Sequence, residues 1–312
     1  MPIGLVALAM CRRFMDRDIP QPHFRLDWLG FALLMPGLTA VIFGLASTNA
    51  AGGLWHLQVL VPVIAGTIAL AVFVCHSLRV SYALIDLRLF ANRTFAACSG
   101  TLFLGIVAVF GGLLLLPLYL QVVRGESAMS TGLLLAPQGM GAVVGMPVAG
   151  WFADRTGIGR VVPVGLALIG LSFLGLTQLS IDTSYWLFGV DLFVMGIGMG
   201  VTMVPMFSGA MQTLRKADVA RASTSVNITQ QAGAAVGTAV LSILLAHQLN
   251  DNLLGRGGIG VSVSPAERAS AAPVIAEAFA ATFGWALILI AFAFVVAVVF
   301  LPWRKVAAPS FS

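Results

Sequence analysis

Eight stretches of this sequence, roughly residues 27–48, 57–78, 95–122, 131–153, 161–179, 185–207, 224–248 and 277–302, run almost without charge. Each holds about the 20 residues that an α-helix needs to cross about 30 Å of hydrocarbon. No other feature constrains the fold as tightly. The 312 residues are 59% apolar and only 9% charged, and the mean hydropathy is +0.98. A soluble domain carries about a quarter of its residues as charges, so this chain has too little polar surface to enclose eight such helices in water. The expected fold class is all-α, a polytopic transmembrane helical bundle of eight complete spans.

The basic residues supply an independent test, because short loops rich in Lys and Arg stay on the cytoplasmic side. Alternating the eight spans puts 14 of the 17 Lys and Arg residues on one side and leaves Arg124, Arg256 and Arg268 on the other. The asymmetry supports the span count and predicts a cytoplasmic C-terminus. The same scatter over several loops argues against nucleic acid as the partner of a net charge of +5, since a nucleic-acid site gathers its charge into one patch. Trp28, Trp55, Trp151, Trp186 and Trp303, with Tyr82 and Tyr185, fall at or just outside span ends, where amphipathic rings favour the headgroup region. Trp285 lies inside the last span.

Metal and enzyme chemistry find no support. His23, His56, His76 and His247 lack the i, i+3 or i, i+4 spacing that sets ligands on one helix face. Cys11, Cys75 and Cys98 suggest no extracellular disulfide framework. No nucleophile and base stand in a recognisable constellation, and no cofactor is expected.

Polar residues inside spans carry more information, because hydrocarbon penalises an unpaired polar group. In the seventh span Asn227, Gln231, Ala234, Thr238 and Ser242 recur at i, i+4, i+7, i+11 and i+15, which aligns them on one helix face. The stripe either lines a water-filled cavity and hydrogen-bonds a substrate, or bridges to neighbouring helices; Gly233 and Gly237 form a close-packing pair elsewhere on the same helix. Gln138, beside Pro137, is a weaker cavity candidate, while Gly141 and Gly145 are expected to pack. Asp191 stands six residues into the sixth span, roughly 9 Å along the helix. It reads either as a carboxyl facing a cavity, able to take up and release a proton, or as a hydrogen-bonded structural group near the outer interface. Asp27 reads as a helix-start residue.

Three charges, Asp154, Arg155 and Arg160, crowd into the run "GWFADRTGIGR", residues 150–160. Its pattern of Gly150, Asp154, Arg155, Gly157 and Arg160 resembles motif A, the short cytoplasmic loop signature of the major facilitator superfamily. Gly150 is expected to allow close helix approach and Gly157 a tight turn, while Asp154 can face a helix N-terminus and the arginines pair locally. Arg155 and Arg160 would also set topology in any membrane protein. The segments "DWLGFALLMPGLTAVIFGL", "ALIDLRLFANRTFAA", "LAPQGMGAVVGMPVAGWFADRTG", "GIGMGVTMVP" and "STSVNITQQAGAAVGTAVL" extend the resemblance, over nearly the whole chain, to the drug:proton antiporter branch with fourteen spans. In that resemblance "MPIGLVALAM" is similar to the end of a sixth span, so a partial N-terminal span precedes the eight and the family's first five spans have no counterpart in these residues.

The resemblance implies a domain plan. Residues 1–26 are the end of a span and a cytoplasmic loop, 27–94 two linker helices, 95–302 a C-terminal six-helix transporter domain with a 3+3 inverted repeat, and 303–312 a cytoplasmic tail. Segment 249–276, rich in Gly, Ser and Pro, reads as a mobile loop. The function implied is proton-coupled export of drugs or other small molecules across the cell membrane. The partners are lipid, a small-molecule substrate, protons and an N-terminal half. The alternative is a shortened membrane protein that assembles with or regulates a partner transporter without transporting.

Overall fold

The computed structural model describes residues 27–47, 56–80, 83, 85, 87–212, 216–253, 265–301 and 303. Their long helices are α1 (Trp28–Ala46), α2 (Leu57–Arg79), α3 (Arg93–Val122), α4 (Ala128–Thr156), α5 (Ile158–Leu176), α6 (Tyr185–Gln212), α7 (Lys216–Leu253) and α8 (Pro265–Phe300), with a 3-10 turn at Leu87–Ala91 before α3. All 8 are long and apolar enough to cross a membrane. The fold is the expected all-helical membrane bundle. The apolar segment expected to be a partial span at residues 1–26, Trp55, Tyr82 and the tail from 304 lie outside the described residues.

Helix starts follow local chemistry. Asp27 accepts the Gly30 N–H at 2.8 Å, Asn92 accepts those of Thr94 and Phe95 at 3.0 and 3.2 Å, and Ser127 accepts that of Ser130 at 3.2 Å. Each cap satisfies a donor that the first turn leaves without a helical partner. Pro36, Pro62, Pro117, Pro137, Pro147, Pro163, Pro205 and Pro273 all lie within helices, as membrane helices tolerate. The expectation of a mobile loop over 249–276 needs correction. α7 continues to Leu253 and α8 begins at Pro265, leaving only 254–264, with "GRGGIG", outside the described residues. At 38 and 36 residues these two helices reach roughly 57 and 54 Å, longer than the hydrocarbon core is thick.

The bundle is built around α3, whose most apolar stretch is 61% buried against 17% for α2. α3 packs on α7, α8 and α6, while α6 packs on α4 and α5. Tyr119, Phe173, Phe279 and Phe283 lie in the core, with the Tyr119 and Phe279 rings 5.8 Å apart and those of Phe173 and Phe283 6.3 Å apart. α1 and α2 pair with each other, and α1 also touches α7.

Close approach between α4 and α6 depends on glycine. A Cβ at Gly145 would stand 2.6 Å from the Ile197 carbonyl oxygen, one at Gly200 2.8 Å from that of Ala142, and ones at Gly141 and Gly196 would collide with the carbonyls of Phe193 and Gln138. Four glycines therefore let two backbones touch, a geometry lipid favours because it maximises van der Waals contact where the hydrophobic effect is absent.

Helix ends segregate into two faces. On the arginine-rich face the Asp27 carboxylate at the start of α1 meets His76 Nε2 near the end of α2 at 2.9 Å. The Ser77 hydroxyl donates to the Ile85 carbonyl, and Arg88 Nη2 donates to the Leu78 carbonyl at 3.0 Å. On the opposite face Tyr119 donates to the Ser180 carbonyl at 2.8 Å and Arg124 to the Ile181 carbonyl, joining the end of α3 to the α5–α6 connection. Trp28 and Trp186 are 70% and 81% exposed at the first turns of α1 and α6, positions that suit rings favouring the headgroup region.

Candidate functional site

The run from Gly150 to Arg160 becomes the junction of α4 and α5, and the link is a single residue. Gly157 closes α4 with its N–H on the Ala153 carbonyl at 3.0 Å, and α5 begins at Ile158. Its φ of 90° and ψ of 155° belong to a region essentially reserved for glycine, so the expected tight turn is present. Arg155 lies over the Trp151 ring, 3.8 Å from the centroid, a cation–π contact one turn back along α4. Arg160 is exposed. The Asp154 side chain lies outside the described residues.

Gly150 corrects an expectation. A Cβ there would meet nothing within 4 Å, so it does not mediate close helix approach within this bundle. The residue buried at this level of α4 is Ala149, 1% exposed beside Val161 and Val201. Gly150, about 100° further round the helix, faces outward.

Inside the spans, Asp191 packs against α5. The Ser172 hydroxyl, fully buried, stands 3.0 Å from Asp191 Oδ2 and 3.0 Å from the Asp191 carbonyl oxygen. A Cβ at Gly175 would fall 2.5 Å from Asp191 Oδ1, so glycine there makes room for the carboxyl. Gln138 is 8% exposed and its Nε2 reaches the Met199 sulfur at 3.4 Å, placing it in the α4–α6 contact rather than along an open cavity.

The seventh-span stripe divides. Asn227 and Gln231 are exposed; Ala234, Thr238 and Ser242 are half-buried. Thr238 donates to the Ala234 and Ala235 carbonyls at 3.0 Å, and Ser242 donates to the Thr238 carbonyl at 2.6 Å, so both hydroxyls are spent on their own helix. Gly233 and Gly237 lie on the other side, against Phe103, Ile106 and Val107 of α3. The open face therefore carries two free-standing amides above a row of back-bonded hydroxyls. The structure brings Asp191 to α5 and Gln138 to Met199, and it gathers neither with the α7 stripe.

Sequence reasoning missed three partnerships. Ser172 is one serine in an apolar span, with nothing local to mark it. Asp27 and His76 are separated by 49 positions, beyond the reach of any helical spacing rule. The third is at the arginine-poor face, where Glu126 accepts from Ser130 at 2.6 Å and from the Tyr185 hydroxyl, while Arg124 lies 4.4 Å over the Tyr185 ring. The Ser130 hydrogen bond, and then that of Tyr185, hold the Glu126 carboxyl below the usual carboxylate range.

A bundle of long apolar helices, packed through glycines, with a single-glycine turn on the arginine-rich face and amides on an open helix face, defines a polytopic helical membrane protein. The chain belongs to the Major Facilitator Superfamily, whose model matches residues 28–238. It is 38% identical over 269 residues to the multidrug resistance protein B homolog of Mycobacterium tuberculosis, an alignment covering 85% of this chain and 50% of that protein. To the lincomycin resistance protein LmrB of Listeria monocytogenes it is 29% identical over 250 residues, covering 80% and 53%. To the methylenomycin A resistance protein of Bacillus subtilis it is 28% identical over 246 residues, covering 78% and 52%. The chain spans about half the length of these curated relatives.

Proposed function

We propose that this chain forms one helical bundle of a proton-coupled exporter of drugs or similar small molecules in the cell membrane, with the arginine-rich face toward the cytoplasm. The observation that carries this reading is the open face of α7. Asn227 and Gln231 stand exposed on the side away from the glycine contact with α3, in a chain that matches about half the length of relatives named for drug resistance. Amides facing lipid are penalised, whereas amides facing a second bundle across a wet cleft can hydrogen-bond substrate. Alternating access in transporters of this kind works by rocking two bundles about a site between them. Gly157, with Arg155 and Arg160 around it and Asp154 beside them, is the element we assign to that rocking. Asp191 is the assigned proton carrier.

Efflux of a fluorescent cationic drug from a host stripped of its own exporters tests the reading. The 312 residues alone should give no efflux, and co-expression with the N-terminal half of a relative should restore it. Silence in both cases, with the chain inserted and bound to another transporter, would favour the assembling and regulating role.

A further inference from the structure

We propose that Ser172 and Asp191 form a proton-binding pair between α5 and α6, in which the serine hydroxyl changes acceptor as the carboxyl gains or loses its proton. The inference rests on the proton-coupled reading above and deepens it by adding Ser172 as a positioning residue.

The hydroxyls of neighbouring spans show what is unusual here. Thr202, Thr229, Thr238, Ser242 and Thr282 each donate to a carbonyl four residues back on their own helix, the ordinary habit of a membrane hydroxyl. Ser172 crosses to the next helix instead, and its Oγ stands 3.0 Å from two acceptors of one residue, Oδ2 and the main-chain oxygen of Asp191. A hydroxyl has one proton to donate and two lone pairs with which to accept.

With the carboxyl ionised, Ser172 donates to Oδ2. When a proton from water binds the carboxylate, the new Oδ2–H donates to Ser172 Oγ, and the serine proton turns about the Cβ–Oγ bond to the Asp191 carbonyl oxygen. The O–H bond that forms on the carboxyl replaces one broken in a hydronium ion, and the Ser172 hydroxyl keeps a partner in both states. Loss of the proton to water reverses the sequence. Gly175 leaves Oδ1 the space that a Cβ would take, so the second oxygen is not jammed against α5.

On α8, which packs against α5, the titratable group toward this end is the exposed Glu277, which lines a cleft with Thr177 and with Asp182 of the α5–α6 connection. α3 brings Tyr119 toward α6, its ring stacked on Phe188 at 6.5 Å and its hydroxyl engaged with Ser180. α4 presents Pro137 and Gln138 at this level, neither titratable. On α5 the facing groups are Ser172 and Gly175 themselves. His247, the one titratable side chain described on α7, is exposed. Arg124, Glu126 and Tyr185 engage one another at the mouth.

Infrared difference spectroscopy of the full chain in lipid vesicles, recorded as pH is stepped, tests the pair without requiring transport. The wild type should show the C=O band of a titrating carboxylic acid, and Asp191→Asn should remove it. Ser172→Ala should displace the band and move its midpoint by about one pH unit, the size expected on losing a hydrogen bond to a charged group. Ser172→Thr, which restores the hydroxyl, should return both to wild type. If the alanine variant does not fold, Ser172→Cys keeps the volume with a much weaker donor and should move the midpoint in the same sense. A band that survives Asp191→Asn, or a midpoint unchanged by both Ser172→Ala and Ser172→Cys, overturns the proposal. Absence of efflux with the band behaving as described would instead count against the export reading alone.

Discussion

Gly157 and Gly150 sit seven residues apart in one signature, and their environments separate them. Gly157 holds φ 90°, so Gly157→Ala should lower stability by about 1–3 kcal/mol, the cost of a side chain in a glycine-only conformation. Gly150→Ala, with nothing within 4 Å of the added methyl, should change stability by less than about 0.5 kcal/mol. Thermal unfolding of the purified chain in detergent measures both, and equal losses would refute the assignment of the turn to Gly157. Glu126 gives a pH prediction of definite sign. Hydrogen bonds from Ser130 and Tyr185 hold its carboxyl below the ordinary value of 4.5. Its stabilising contribution is therefore complete above that value and disappears as pH falls through the lower value of the folded protein. The melting temperature should drop on acidification through that window, and Glu126→Gln should flatten this part of the profile. At this scale the sequence exposed Gly157, because a glycine between two apolar spans has few other uses. It misled at Gly150, because which side of α4 meets α6 depends on how the two helices roll against each other.

Among the helices, the α4–α6 contact makes the sharpest comparison. Gly145 and Gly139 are both mid-helix glycines of α4, yet a methyl on Gly145 would press within 2.6 Å of the Ile197 carbonyl, and one on Gly139 meets nothing within 4 Å. Gly145→Ala should push the helices apart at a cost of about 1–3 kcal/mol. Gly139→Ala should be neutral or slightly stabilising, since alanine is the better helix former. Steric-trapping measurements of unfolding in bicelles can resolve the difference, and matching values would mean that the glycine contact does not limit packing. Spans were legible as elements because a bilayer demands about 20 apolar residues from every helix that crosses it. The ends of α7 and α8 were less so. Asp251 and Glu267 mark polar stretches that hydropathy alone reads as loop, yet α7 continues past the first and α8 begins before the second. Outside the hydrocarbon a helix needs no apolar run, only continued backbone hydrogen bonding and a neighbour.

Taken as a whole molecule, the bundle leaves Asn227 and Gln231 uncovered while Val226 and Leu241 on the same helix are buried. A cysteine placed at Asn227 in an otherwise cysteine-free chain should react with a soluble maleimide when the chain is expressed alone. Co-expression of an N-terminal half should slow that reaction at least tenfold. Unchanged labelling would show that this face is not where a second bundle docks. The sequence by itself determined that the chain is a helical membrane protein, how many apolar helices its described residues form and which of their ends share a face. Those properties follow from span length and from the sidedness of Lys and Arg, both of which are written locally along the chain. It also marked Asp191, because a charge in an apolar run is conspicuous wherever it sits. Only the tertiary structure decided what these groups meet. Ser172 reaches Asp191 across 19 positions, His76 reaches Asp27 across 49 and Tyr185 reaches Glu126 across 59. Helical periodicity extends no further than its own helix. Such pairs come together because glycine contacts set how two helices approach and roll, and that packing is a property of the whole bundle.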